Sequence, residues 1–439
     1  MARVLPSRQR LPPTSPPPLA HVVPANDAAS PLDAGGRLDA TYVTYWSLRD
    51  PLCQSQSLPV VRALAANGWR IALMTYENPR WGLSPADAGG RRAALAAAGI
   101  RWVPLPYHKR PRVVATVFDV LRGVWTCCAL AELRRSRLFH GRATVANAVA
   151  YLASRLTGAR YFDDADGPLS EEYVDAGVWP RGSFVHRLTG WAEEKFLAGA
   201  DAVAVLSDHR RREVAPRSRV PVTVLPCAVD TAHFVPRPEE GRRLRRQLDL
   251  QGTVLVYSGK VGGWYRGDAV VDFAAALKQV TGDVTLLVLT TDDPRPFMDR
   301  AAPHGVRCVA REASREEMPG YLSAAQAGLS FRLETASQRA CSPIKNGEYL
   351  ACGLPVVSTP GAGDYSALVV REKVGVVVER FDEAGLGIAA EGLARLLQDP
   401  GVADRCRTVA RNEIGLDEVV VPRYLALYES LLGTDESRG

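Results

Sequence analysis

The chain has 439 residues, of which 46% are hydrophobic and 23% charged, and it carries a net charge of +6. That length exceeds what one hydrophobic core supports, so two domains of ordinary globular composition are expected. The small positive excess suits an anionic ligand or an acidic membrane surface, and the lack of alternating basic and aromatic residues argues against nucleic acid as a partner.

Residues 1–38 are rich in Pro, with Ser, Ala and Arg around them, and read as a disordered tail that buries too little to order itself. Pro and polar residues also occupy the place of a signal peptide's apolar region. Over residues 39–226, short apolar runs alternate with amphipathic segments. ATYVTYW, WRIALMTY, IRWVPLPY, a short run into His140, ARYFDD, DAVAVLS and VPVTVLP read as strands, and the segments between them as helices, two of which end at Gly68 and Gly99. The segment from Arg112 to Arg135 joins apolar clusters to basic ends. It suits either a domain helix with a solvated basic edge or an amphipathic helix lying on an anionic membrane. Residues 227–252, with Pro236, Pro238 and the charged EEGRRLRRQLD, suit a linker. The alternation restarts over residues 253–415 through TVLVYSG, DVTLLVLT, GVRCVA, AGLSFR, LPVVS and VGVVV, and residues 416–439 are expected to form a helix returning to the first domain. The expected fold class is α/β, with two Rossmann-like doubly wound domains facing a central cleft at the carboxyl ends of their strands.

The eight cysteines, scattered from Cys53 to Cys406 with no Cys-x-x-Cys pair, read as free thiols of a reducing compartment. Charges are expected to interrupt every apolar run before the roughly 18 residues that span a bilayer. A cytoplasmic protein follows, with at most peripheral contact to the inner face of a membrane.

The most informative stretch is CSPIKNGEYLACGLPVVSTPGAGDY, from Cys341 to Tyr365. Ser342 as N-cap and Pro343 at the first helical position would open a helix whose free N–H groups and positive dipole end suit a phosphate. Lys345 in the first turn adds its charge, and Glu348, three positions on, suits hydrogen bonds from sugar hydroxyls. Asp163, Asp164 and Asp166 crowd like metal ligands, yet a hard-metal site needs further oxygen donors, and no metal is expected. Asp292 and Asp293 read as a helix N-cap. Trp264 and Tyr265 lie on a Gly-rich loop near Lys260, where a ring would stack on a base, close over the cleft, or pack in the core. No G-x-G-x-x-G follows the first strand, which argues against a dinucleotide cofactor.

Together these features resemble the GT-B glycosyltransferases, and specifically the retaining, family 4-like enzymes (glycosyl transferases group 1). VLPCAVDTAHFVP is similar to the family's domain-crossing segment, followed by VYSGK and the Cys341–Tyr365 stretch. The resemblance implies that Lys260 and Lys345 grip the diphosphate of a nucleotide sugar, that Glu348 holds its ribose, and that Gly259, Ser342, Pro343 and Tyr349 line the donor site, without metal or cofactor. Ala340 stands eight positions before Glu348, where the family commonly has the first carboxylate of a Glu-x7-Glu pair. In the first domain, Gln54, Ser55 and Gln56 resemble a recurrent loop on the acceptor side, and His140, Arg142, Asp164 and Glu172 match a segment that borders the cleft. His140 is the catalytic candidate there, placed to orient sugar or acceptor. Asp166 occupies a position where the family tends to have Arg. The implied reaction moves a sugar to an acceptor hydroxyl in polysaccharide, glycolipid or natural-product glycoside biosynthesis. A nucleotide-sugar epimerase and a catalytically weak binding scaffold are the alternatives.

Overall fold

In the computed structural model, which describes residues 36–433, the apolar runs become two all-parallel sheets. The first contains β1 (Ala40–Thr44), β2 (Ile71–Glu77), β3 (Ile100–Pro106), β4 (Leu138–Arg142), β5 (Arg160–Ala165), β6 (Ala202–Val205) and β7 (Val222–Val224), in the order β3-β2-β1-β4-β5-β6-β7. Its central strands are buried along their whole length because helices cover both faces, which is why they read as continuous apolar runs rather than alternating ones. The covering helices are α1 (Leu58–Ala66), α2 (Pro85–Ala97), α3 (Arg112–Arg134), α4 (Thr144–Thr157), α5 (Leu169–Asp175), α6 (Phe184–Gly199) and α7 (Asp208–Val214). The end of α4 shows the local logic: Gly158 takes φ 75 and donates its N–H to the Ser154 carbonyl, a left-handed cap that a side chain resists.

The second domain opens with α8 (Pro238–Gln247) and continues β8 (Thr253–Ser258), α9 (Gly267–Thr281), β9 (Val284–Leu289), α10 (Arg295–Ala301), β10 (Arg307–Arg311), α11 (Met318–Leu322), β11 (Ala327–Ser330), α12 (Ala336–Arg339), α13 (Ile344–Ala351), β12 (Val356–Ser358), α14 (Tyr365–Arg371), β13 (Gly375–Val377), α15 (Glu383–Leu397) and α16 (Val402–Ile414). Its strands lie in the order β10-β9-β8-β11-β12-β13. In both sheets the order reverses beside the first strand, between β1 and β4 and between β8 and β11, and such switch points open crevices for ligands.

Three features differ from the sequence expectation. The segment 227–252 is not all linker, because Leu244, Leu248 and Leu250 bury themselves in the second domain's core. The crossing itself is short, and it lies beside the return crossing: Val229 N–H donates to the Ile414 carbonyl at 3.0 Å and Leu416 N–H to the Val229 carbonyl at 2.8 Å. The last helix, α17 (Val421–Leu432), then packs Val421, Tyr424, Tyr428 and Leu431 into the first domain's core. Residues 36–38 belong to that domain as well, with Leu38 buried and its N–H donating to the Arg134 carbonyl at 2.8 Å, while residues 1–35 of the expected tail lie outside the described residues. Finally, charge does not interrupt α3 as expected: by length and composition Val113–Arg134 is apolar enough to cross a membrane, although one side of it is bound into the first domain.

Candidate active site

At the switch point of the second sheet the chain leaves β8 through Gly259, whose φ of +132 disfavours a side chain and whose missing Cβ leaves room for Lys345 Nζ, 2.9 Å from where that Cβ would stand. Lys345 is 7% exposed. Its ammonium lies 4.3 Å from the ring centre of Tyr257 and 4.4 Å from that of Tyr265, and it has no hydrogen-bond partner among the described residues. Two aromatic faces compensate a buried cation only in part. Burial, and then the nearby Arg332 guanidinium, hold the Lys345 ammonium well below its usual pKa, with Glu348 opposing them. Arg332 itself donates from Nη2 to the Tyr265 hydroxyl at 3.1 Å and from Nη1 to Cys341 Sγ at 2.8 Å, and its Nε is unpartnered. A buried ammonium and a half-buried guanidinium converge here, an arrangement that suits a ligand with two or more negative oxygens. Arg332 was not among the residues expected at the site. Its signal was its position just past the AGLS strand at the switch point.

The helix carrying Lys345 begins one step later than expected. Pro343 is its N-cap, no side chain caps it, and the Ser342 hydroxyl accepts instead from the Cys227 N–H at 3.0 Å, tying α13 to the domain crossing. Tyr349 is likewise not a ligand contact, because it is fully buried and its hydroxyl sits 2.9 Å from the Ser258 N–H and 3.0 Å from the Ser258 hydroxyl. It braces the end of β8 from below. Glu348 is half-buried and pushed up to about 7 by burial, against the pull of Arg315 and Lys345. Lys260 is exposed on the loop after Gly259. Asp292 does not cap α10 but accepts the Val261 N–H at 2.9 Å and so anchors that loop, while Asp293 accepts the Arg295 N–H at 3.0 Å.

Across the cleft, His140 is not where a catalytic group could touch substrate. It is fully buried in mid-strand, stacked on Phe162 with centroids 4.2 Å apart, with Nε2 donating to Asp164 Oδ2 at 3.2 Å and Nδ1 accepting from the Tyr428 hydroxyl at 2.9 Å. Burial lowers its pKa, so it stays neutral and acts as a brace. Asp164 collects that bond, a 2.6 Å bond from Arg142 Nη1 and a 2.6 Å bond from the Tyr424 hydroxyl. Burial alone would raise its pKa, but Arg142 and these hydrogen bonds hold it at about 2. Arg142 reaches further, donating from Nη2 to Gln56 Oε1 at 2.8 Å and to Asp166 Oδ1 at 3.2 Å. Asp166, which stands where the family tends to have Arg, thereby shares the one buried Arg142 guanidinium with Asp164. Gln54 and Ser55 spend their side chains on the carbonyls of Leu48 and Pro51 in the turn before α1. Asp163 accepts from Asn147 Nδ2 at 2.6 Å and is pushed up to about 8 by burial and by Asp164. Glu172 is half-buried and pushed up to about 7 by burial and by Asp166, with Arg332 of the other domain pulling the other way.

The two sides touch directly. Trp264 Nε1 donates to the Glu172 carbonyl at 3.2 Å, Ser337 N–H to Asp175 Oδ2 at 3.2 Å, and Asp208 N–H to Asp364 Oδ2 at 2.6 Å. Trp264 therefore bridges the cleft, and Tyr265 beside it faces Lys345. Ala340 is buried beneath this closure and brings no carboxylate to it.

Two family models match the chain: the glycosyl transferase 4-like domain over residues 54–228 and glycosyl transferases group 1 over residues 252–399. No curated protein matches by sequence. Among solved structures, the chain is similar to Anabaena HepE in complex with UDP and glucose, at 14% identity and a TM-score of 0.64, covering 90% of this chain and 100% of that one. Sucrose-phosphate synthase from Thermosynechococcus elongatus is similar at 17% identity and a TM-score of 0.65, over 90% and 99% of the two chains. WaaG, a glycosyltransferase involved in lipopolysaccharide biosynthesis, is similar at 16% identity and a TM-score of 0.62, over 90% and 100%. At these identities the structures speak for the fold, and the two family models, matching one domain each, speak for the family. The chain belongs to the group 1 glycosyltransferases of GT-B fold.

Proposed function

We propose that this glycosyltransferase takes its sugar from a nucleoside diphosphate sugar and passes it to an acceptor hydroxyl with retention of anomeric configuration, without metal or cofactor. The observation that carries the reading is Lys345, a buried ammonium with no hydrogen-bond partner among the described residues, set beside Arg332 at the switch point of the second sheet. Departure of the diphosphate from an oxocarbenium-like carbon builds negative charge, and preorganised cations stabilise that charge in the transition state. Lys345 and Arg332 supply it, Lys260 adds an exposed positive charge at the mouth, and Glu348 accepts from ribose hydroxyls. Of the cleft carboxylates, Asp164 is committed to three donors and Asp166 to Arg142. A same-face attack, with the leaving phosphate taking the acceptor's proton, therefore fits better than a double displacement through either of these two. Arg142, Asp166 and Glu172 form the acceptor side, in polysaccharide, glycolipid or natural-product glycoside synthesis. The free state of all eight cysteines supports a cytoplasmic location.

A second reading, a nucleotide-sugar-binding scaffold, is favoured by Ala340, which brings no carboxylate to the donor site. A thermal-shift panel of UDP, GDP, ADP and dTDP sugars tests donor binding. At a hundredfold excess over Kd one donor family raises Tm by on the order of 3 °C, and a flat response across the panel would remove the donor site.

A further inference from the structure

The outer layer of the first domain has an apolar face that no described part of the chain covers. One side of α3 is built inward: Ala115, Val124, Cys127 and Leu130 are buried, and a Cβ on Gly123 would come 2.1 Å from the Tyr76 hydroxyl oxygen. Its other side leaves Val114, Val117, Phe118, Leu121 and Trp125 more than half exposed, Trp125 at 69%. Their spacing follows the turn of one helix face. The same pattern recurs on α6, where Phe184, Leu188 and Trp191 are exposed at 71%, 45% and 59%. Between them α4 packs against both helices and adds exposed Leu156. Scattered surface apolar residues are ordinary, but a face shared by three neighbouring helices and carrying four large aromatic rings marks a docking surface.

Charge selects the occupant. Lys109 and Arg110 precede the α3 stripe, Arg122 lies within it and Arg135 follows it, all exposed, whereas Glu132 is the one exposed acid on α3. Asp119, the other acid of α3, is buried and held by His108 and by the Tyr45 hydroxyl. On α6, Lys195 lies 5.8 Å over the Trp191 ring, Arg187 is exposed, and the exposed Glu194 is paired with Arg217. Aromatic rings set among lysines and arginines suit the headgroup boundary of an anionic bilayer. A second copy of this face would set like charges against each other. The inner side of α3 is fixed to its domain, so the helix lies in the plane of the surface and does not cross it.

We infer that α3, α4 and α6 form a docking face for an anionic lipid bilayer, with Phe118, Trp125, Phe184 and Trp191 inserted at the headgroup boundary and the flanking basic residues on lipid phosphates. The face is separate from the cleft residues, so it stands or falls independently of the sugar-transfer reading.

Cosedimentation of the full chain with vesicles tests it. Binding is expected to phosphatidylcholine vesicles containing phosphatidylglycerol, to weaken with added salt, and to be lost on phosphatidylcholine alone. Trp125→Ser combined with Trp191→Ser should weaken it by about tenfold or more, and Arg122→Glu should weaken it too, with melting temperature unchanged because these side chains are exposed. Equal binding of the double variant, or no binding to anionic vesicles, would overturn the proposal. So would a lipid-free dimer that the same double substitution dissolves, because it would assign the face to a second copy.

Discussion

Replacing Lys345 with methionine is expected to weaken nucleoside diphosphate binding by about a hundredfold, the effect of losing a charge-assisted contact in a desolvated site, while leaving the free protein at least as stable. Both halves follow from one geometry. The ammonium is buried between two tyrosine rings, with no hydrogen-bond partner among the described residues and with Arg332 beside it, so in the free protein it costs stability. A diphosphate reverses the balance by supplying acceptors. The sign with pH follows. Because the folded pKa of Lys345 is depressed, part of its proton is taken up when an anion binds, and affinity falls as pH rises. Calorimetry with UDP in two buffers of different ionisation enthalpy reads that uptake, and a melting curve reads the stability. A methionine variant that binds UDP as tightly as the parent, or that melts markedly lower, would show that Lys345 is a structural cation.

The second large effect is expected at Asp164. Removing it with Asp164→Ala leaves Arg142 buried with Asp166 as its remaining carboxylate and strands His140 and Tyr424, a change that costs about 3–5 kcal/mol. Its pKa is held at about 2, below the ordinary value of 3.8. A carboxylate lowered in this way contributes stability that is present above the unfolded pKa and is lost as pH falls towards about 2. The acid limb of the stability profile should therefore be steeper in the parent than in Asp164→Asn. Urea unfolding over that range measures it, and coincident profiles would mean the network carries little of the fold.

The strands and their order of alternation were legible because parallel strands covered on both faces must be apolar along their length, as in VTLLVL and ALMT. The helix and strand within the Cys341–Tyr365 stretch were legible for a related reason: Lys345, Glu348 and the following LPVV lie within one helix and one strand, so their relation is local. What sequence could not show depends on distant partners. His140 matches a segment that borders the cleft in the family and ends a run read as a strand, but Tyr428, 288 positions later, and Asp164 close over both its nitrogens. Ser342 has the form of an N-cap, yet its hydroxyl is taken by the amide of Cys227, 115 positions earlier. Leu244 and Leu248 were hidden in a charged segment, where their one-turn spacing was the only sign of a buried face. Arg332 was missed because its place beside Lys345 depends on where β11 ends, and strand ends are poorly marked by apolar runs alone.

The most direct test of sugar transfer is proton NMR of the purified protein with each nucleotide sugar that stabilises it and a panel of hydroxyl acceptors, following nucleoside diphosphate release and the anomeric signal of the product together. Release from one donor family, with a product whose anomeric configuration equals that of the donor, is the predicted result. An inverted product, or no release from any donor that binds, would contradict it.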